Sequence, residues 1–247
     1  MALQNSSRSR AAACVLAAFF LSLSVPAAWA QSLSVLPVNI FLGSGQTATS
    51  LTVTNGGDSE TTIQIRAFAW SQKGGDDPLA DTNAILLSPP IAKIAPGESQ
   101  VVRIILRQTP KDQEATYRIL IDQIPPPGEP GVVHYVLRLS IPIFAKPPIR
   151  SAANVQFHLE SDAGQYYLVA TNTGNLHEVL RDLVLTTNDG HKLKAESGSL
   201  PYILPGATRR WHIVAPDSMP AQIEALRLTG QMGSSAVDRQ VRLVPTQ

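Results

Sequence analysis

Ile94-Ala-Pro-Gly-Glu-Ser-Gln-Val-Val-Arg-Ile104 and Ile203-Leu-Pro-Gly-Ala-Thr-Arg-Arg-Trp-His-Ile213 are the stretches on which the fold turns. Each sets an apolar residue before a Pro-Gly turn and then runs on into a strand. A second pair keeps step with them, Val53-Thr-Asn-Gly-Gly57 in the first half and Ala170-Thr-Asn-Thr-Gly174 in the second. Two copies are too few for a solenoid, so they point to one unit used twice. Outward from these repeats, from Gln31 onward, the chain is made of short alternating or β-branched runs broken by Gly, Pro and Asn, and helical apolar spacing is almost absent. Thr49 to Thr54 stops at Asn55-Gly-Gly57, Thr61 to Trp70 resumes, and Gln72 to Ala84 reads as a polar loop. Strands of this length between such turns build sandwiches. The expected fold is therefore all-β, with two immunoglobulin-like β-sandwich domains at residues 31–147 and 151–247. The boundary falls in Ile143-Phe-Ala-Lys-Pro-Pro-Ile-Arg150, where two prolines stiffen the connection and cannot join a following central strand.

Arg8 and Arg10 precede an apolar run from Ala11 to Val25, which ends in the small-residue site Ala28-Trp29-Ala30. That order reads as a secretory signal peptide over residues 1–30, cleaved near Ala30/Gln31. No later run is long and apolar enough for a membrane helix, so a soluble exported protein without stable membrane insertion is expected. Cys14, the only cysteine, lies too early for lipid attachment and leaves with the leader. Stability must then come from ordinary cores, although the compartment permits disulfides. Without the leader, 18 Lys+Arg face 19 Asp+Glu, which favours neither nucleic acid nor an anionic membrane as partner.

Nothing catalytic is spelled out. His134, His158, His177, His191 and His212 are scattered without metal-ligand spacing and read as strand or loop histidines with ordinary surroundings. GxSxG elbows, phosphate-binding glycine loops and thiol nucleophiles are missing from the sequence. The expectation is a non-enzyme with no metal and no cofactor.

The informative segment is Val132 to Phe144. Val133, Tyr135, Leu137, Leu139, Ile141 and Ile143 share one face of an extended chain, and His134, Arg138, Ser140 and Pro142 share the other. All six apolar residues could line their own domain's core. Pro142 argues for an edge strand, since a residue without an N–H is confined to edges, strand ends and bulges. A long apolar edge invites pairing with another chain, and proteins normally blunt it. Keeping one suggests that the pairing is wanted.

Three blocks carry a family resemblance: Leu87-Ser-Pro-Pro-Ile91 with Pro96-Gly97 and Val102-Arg-Ile104, then Tyr117-Arg-Ile-Leu-Ile-Asp-Gln-Ile-Pro125, then Leu139-Ser-Ile-Pro-Ile-Phe-Ala-Lys-Pro147. In this order, over most of residues 31–150, the chain resembles the periplasmic pilus-assembly chaperones of chaperone–usher pathways. The resemblance implies two immunoglobulin-like sandwiches set at an angle, periplasmic location, and two partners: pilus subunits lacking their final strand and an outer-membrane usher. Self-association of the free chaperone is left open. It also implies that the last strand of the first domain fills the groove of an unfinished subunit. Val133, Tyr135, Leu137 and Leu139 would be the lent side chains, with Ile141 behind them.

In that family, cleft cations anchor the subunit's C-terminal carboxylate, but Asn39 and Pro142 stand where the cations are best known. Arg118 becomes the first anchor candidate, with Arg103 and Arg138 behind it; the competing reading pairs Arg118 with Glu114 or Asp122. The departure, with the short Pro126-to-Gly131 loop, is similar to the archaic branch that serves spore-coat-U-like or biofilm pili. Glu114 and Lys146 align with an interdomain salt-bridge cluster that has no acid near Leu228-Thr-Gly230. Ser88-Pro89 sits at a turn that can hold a cis peptide. The alternatives are an immunoglobulin-like structural or adhesive surface protein, such as a pilus subunit, and a β-sandwich hydrolase or carbohydrate-binding module. The apparently complete final strand and second domain speak against a subunit, and the dispersed Trp70 and Trp211 against a binding platform.

Overall fold

The computed structural model describes residues 33–125, 135–195, 201–214 and 224–244. The leader expected at residues 1–30 and Val133 lie outside them. Eighteen strands and no helix occur among the described residues. The first ten are β1 (Leu33–Leu36), β2 (Ile40–Leu42), β3 (Ala48–Asn55), β4 (Thr61–Trp70), β5 (Leu79–Asp81), β6 (Ile85–Ser88), β7 (Ile91–Ile94), β8 (Ser99–Leu106), β9 (Ala115–Ile124) and β10 (Arg138–Ala145). The rest are β11 (Val155–Asp162), β12 (Gln165–Asn172), β13 (Glu178–Thr186), β14 (Lys192–Ala195), β15 (Tyr202–Ile203), β16 (Thr208–Val214), β17 (Ala225–Met232) and β18 (Ser235–Arg242).

Strands β1 to β10 form two facing sheets, one ordered β1-β3-β8-β6 and the other β2-β10-β9-β4-β5, with β7 also on β4. Period-two alternation builds the core between them: Leu51 and Val53 of β3, Val102 and Ile104 of β8, Ile119 and Ile121 of β9, and Ile141 and Ile143 of β10 are all buried there. Strands β11 to β18 run β11-β12-β16-β14-β13-β17-β18, and a parallel bridge from Leu159 to Leu243 brings the two ends of that sheet together. The fold is the expected pair of immunoglobulin-like units.

The internal repeat has a physical core. Asn55 and Asn172 are both buried, and each side-chain amide is spent in the same way. Asn55 donates from Nδ2 to the carbonyls of Ser59 and Ile94 and accepts on Oδ1 from the Gly57 N–H. Asn172 donates to Leu176 and Ile203 and accepts from Gly174. The backbones match too, with Gly97 N–H on the Asn55 carbonyl at 2.8 Å and Gly206 N–H on that of Asn172 at 2.9 Å. Each asparagine thus ties a strand end to the Pro-Gly turn, and this explains why the two sequence pairs travel together.

Two expectations change. The polar loop from Gln72 to Ala84 contains β5, which pairs with Phe68 to Trp70, because the Lys73 to Asp76 turn folds the chain back onto β4. Among the described residues, the long strand expected from Val132 begins at Arg138, and Tyr135 to Leu137 precede it outside any strand. Ser88-Pro89 is cis, as is Leu36-Pro37.

Removing the side-chain amide of either asparagine orphans buried carbonyls and an N–H together. Asn55→Ala and Asn172→Ala should each lower stability by about 3 kcal/mol. Urea unfolding would show this as a lower midpoint, and unchanged midpoints would refute the role given to the turns.

Candidate functional site

Among the described residues, strand β10 has one covered flank and one that is open for much of its length. On the covered flank it pairs antiparallel with β9, Arg138 opposite Asp122 through Ala145 opposite Ala115. The Gln123 N–H donates to the Leu137 carbonyl at 2.9 Å, so the alternation of an antiparallel ladder aims the backbone groups of Leu139, Ile141 and Ile143 at β9. Those of Arg138, Ser140 and Pro142 must point the other way. On that outer flank β2 pairs in parallel only from Ile143 to Ala145, and the Lys146 N–H closes the pairing on the Leu42 carbonyl at 2.9 Å. Among the described residues, no strand covers the flank from Arg138 to Pro142. Pro142 has no N–H to offer at the point where β2 stops.

Side chains along this edge divide into two groups. Ile141 and Ile143 are buried in the first unit's own core, and Leu139 packs partly against it. Ile141, expected among the lent residues, is only 6% exposed because its odd-numbered position turns it into the sandwich. Tyr135 and Leu137 are out in solvent, Tyr135 at 89%.

The opposite face of β10 and β9 is the one from which Phe144 enters the second unit's core. Arg118, across from Pro142, is buried at 4% exposure. Its guanidinium lies 3.8 Å from the centroid of the Trp70 ring, Nη1 reaches Ser140 Oγ at 3.4 Å, and Nη2 is buried with no hydrogen-bond partner among the described residues. Burial pushes its pKa down, and the nearby charges of Asp77 and Tyr202 oppose this in part. Neither carboxylate proposed from sequence pairs with it. Asp122 instead takes Arg66, at 2.7 Å, and Arg138; Glu114 takes His177. Arg138 is thereby occupied, and Arg103 stands exposed on the outer face of the other sheet, opposite Ser50 and Ser88, because its neighbours Val102 and Ile104 claim the core side.

The joint between the units was only partly foreseen. Glu114 does cross it, accepting from the His177 backbone N–H at 2.8 Å and meeting His177 Nδ1 at 2.6 Å. Lys146 is exposed and enters no ion pair among the described residues. His177 is no ordinary loop histidine, since its ring stacks on Phe144 with centroids 3.6 Å apart. Phe144 and Trp70, both from the first unit, are buried in the second unit's core. Tyr202 of the second unit packs on both and donates its hydroxyl to Asn39 Oδ1 at 2.9 Å. Asn39, where a cation was looked for, thus serves the joint. Phe41 extends this aromatic group and is 61% exposed at the end of the open flank.

Comparison with known proteins gives a consistent picture. Residues 32–149 match the family described as pili and flagellar-assembly chaperone, PapD N-terminal domain. The chain is 27% identical over 168 residues to the chaperone protein FimB/FhaD of Bordetella pertussis, covering 61% of this chain and 67% of that protein. Its fold is similar to a chain of the CsuC-CsuE chaperone-tip adhesion subunit pre-assembly complex from archaic chaperone-usher Csu pili of Acinetobacter baumannii, with TM-score 0.63, 22% identity, and 87% of this chain and 100% of that chain covered. It is similar again to a chain of the Salmonella enterica complex of SafA pilin with the SafB chaperone, with TM-score 0.59, 17% identity, and 88% and 99% covered.

Burial pushes the Asp122 carboxyl up, but the hydrogen bonds and charges of Arg138 and Arg66 outweigh it and hold the group below the usual carboxylate range. A carboxylate with a depressed folded-state pKa stabilises the fold above its unfolded pKa, and that contribution is lost as pH falls through the folded value. Arg138→Ala should therefore raise the Asp122 pKa in a carboxyl NMR titration and reduce the loss of stability between neutral and acid pH. An unmoved titration would show that the two groups do not pair in solution.

Proposed function

We propose that the chain, whose residues 32–149 match the family described as pili and flagellar-assembly chaperone, PapD N-terminal domain, is a periplasmic chaperone that captures pilus subunits lacking their final strand and delivers them to an outer-membrane usher. The observation that carries this reading is the open flank of β10, with Tyr135 and Leu137 exposed beside it and the unpartnered Nη2 of Arg118 at its far end. The units of this chaperone would be residues 31–147 and 151–247, behind a leader cleaved near Ala30. The departure at Asn39 and Pro142 favours the archaic branch.

A strand added on this flank occupies the same lane as β2 and must end where β2 begins. Arg118 lies across from Pro142 at that end and reaches to Ser140. A chain whose C-terminal carboxylate stops there runs in the same direction as β10, so the pairing is parallel. Carboxylate and guanidinium then form charge-assisted hydrogen bonds in a partly dehydrated cleft, and this fixes the register. With the terminus fixed, the side chains of Val133, Tyr135, Leu137 and Leu139 fall into the subunit's groove. Burying four of them yields roughly 6–12 kcal/mol before ordering costs, at about 1.5–3 kcal/mol each. Ile141 contributes from inside its own core by holding the strand in place. Completion of the subunit's fold supplies the energy, with no nucleotide and no chemistry.

Leu137→Glu should abolish co-purification with subunits and leave the urea unfolding midpoint unchanged, because only an exposed side chain is altered; retained capture would exclude this strand. Arg118→Ala should weaken binding of a peptide with a free C-terminal carboxylate about tenfold or more and leave its C-terminal amide unaffected. Equal loss for both peptides would remove Arg118 from the anchor.

A further inference from the structure

Asp77, in the turn between β4 and β5, accepts from Trp70 Nε1 at 3.0 Å and from Gln72 Nε2 at 2.9 Å. Arg209 Nη1 lies 3.2 Å from each of its carboxylate oxygens. Arg209 belongs to β16 of the second unit and its side chain is only 2% exposed, whereas that of Asp77 is 23% exposed. On the face of the same indole whose edge Asp77 binds lies Arg118. Asp77 and Arg118 are thus two opposite charges served by one tryptophan, near enough to influence each other yet not paired.

That arrangement needs a reason. A carboxylate beside a buried guanidinium with a vacant N–H is its natural partner, and the pair would form if nothing restrained the carboxylate. Three donors restrain it here. Two of them, Trp70 and Gln72, come from the first unit and are neutral; Arg209 alone is charged and comes from the second. The three charges, Arg118, Arg209 and Asp77, leave one positive charge in excess, the right amount for a single incoming carboxylate.

We infer that Arg209 is a positioning residue for the carboxylate anchor: by holding Asp77 from the second unit, it keeps Arg118 free to receive the C-terminus of a client strand. The inference rests on the reading of Arg118 as anchor. Its consequence is that the anchor is fully open only while the second unit is seated on the first, since separation of the units leaves Asp77 with the two neutral donors alone and lets it turn to Arg118. The two units then act as one binding device, although Arg209 itself touches no client.

The test uses the purified chain and an N-acetylated octapeptide of alternating valine and threonine, with a free C-terminal carboxylate or as its amide. The readout is the preference for acid over amide, followed on the indole N–H resonance of Trp70. Arg118→Met comes first and must abolish the preference; if it does not, the anchor reading fails and this inference with it. Where Arg118 matters, Arg209→Met should cut the preference about tenfold, because Asp77 then occupies the guanidinium. Arg209→Met with Asp77→Asn should restore it, because the competitor has lost its charge. Full preference in Arg209→Met, or a loss that Asp77→Asn fails to rescue, overturns the inference and leaves the anchor reading standing. Should Arg209→Met not fold, Asp77→Asn alone decides: it keeps an acceptor for Trp70 and must bind the acid at least as tightly as the parent, and weaker binding overturns the proposal.

Discussion

Pro142 has no backbone N–H, and it stands on the outer flank of β10 at the point where β2 ceases to pair. A neighbouring strand could not be bonded through that position, so β2 stays short and the edge beyond it stays open. The rest of the site follows from this one constraint. The flank from Arg138 to Pro142 is a lane of fixed direction and fixed end, and Arg118 lies across from the residue that ends it. The sheet tolerates the exposed edge because its cleft face carries Arg138, Ser140 and the ion pairs to Asp122, which discourage indiscriminate pairing.

The second unit is part of the same device. Phe144 follows Pro142 by two residues, points to the same face, and is buried in the second unit's core with Trp70. The strand with the open flank is therefore pinned at its other end between two cores. Glu114 and His177, Tyr202 and Asn39, and Asp77 and Arg209 all cross the joint at different points along the chain, so movement of either unit would be felt at Trp70 and at the guanidinium stacked on it. Such aromatic stacks and desolvated charge pairs are intolerant of small displacements, so the joint holds the two units in one arrangement.

Much of the fold was legible because β-structure writes itself in period two and in turn residues. The repeat of Asn and Pro-Gly announced two units, and the buried amides of Asn55 and Asn172 supply its cause. The edge character of β10 was legible in Pro142. The division of that segment was not: alternation places Leu137, Leu139 and Ile141 on one face, and only the partner strands determine that Ile141 is enclosed while Leu137 is bare. Arg118 was legible as a cation on the strand beside β10. Its stacking on Trp70 and its distance from Glu114 and Asp122 were not, because they depend on which carboxylates find other partners first. The joint was read least well. His177, Tyr202 and Arg209 carry no spacing signal, since their roles arise from contact between distant segments, and Asp77 looked like one more polar residue in a loop.

The central claim is that β10, from Arg138 to Pro142, is bonded on one side and free on the other. Amide hydrogen exchange in the purified chain reads this residue by residue. Leu139 and Ile141, which face β9, should exchange slowly, and Arg138 and Ser140 should exchange fast, becoming protected when a subunit lacking its final strand is bound. Slow exchange at Arg138 and Ser140 in the free monomer, or no change there on binding, would contradict the account.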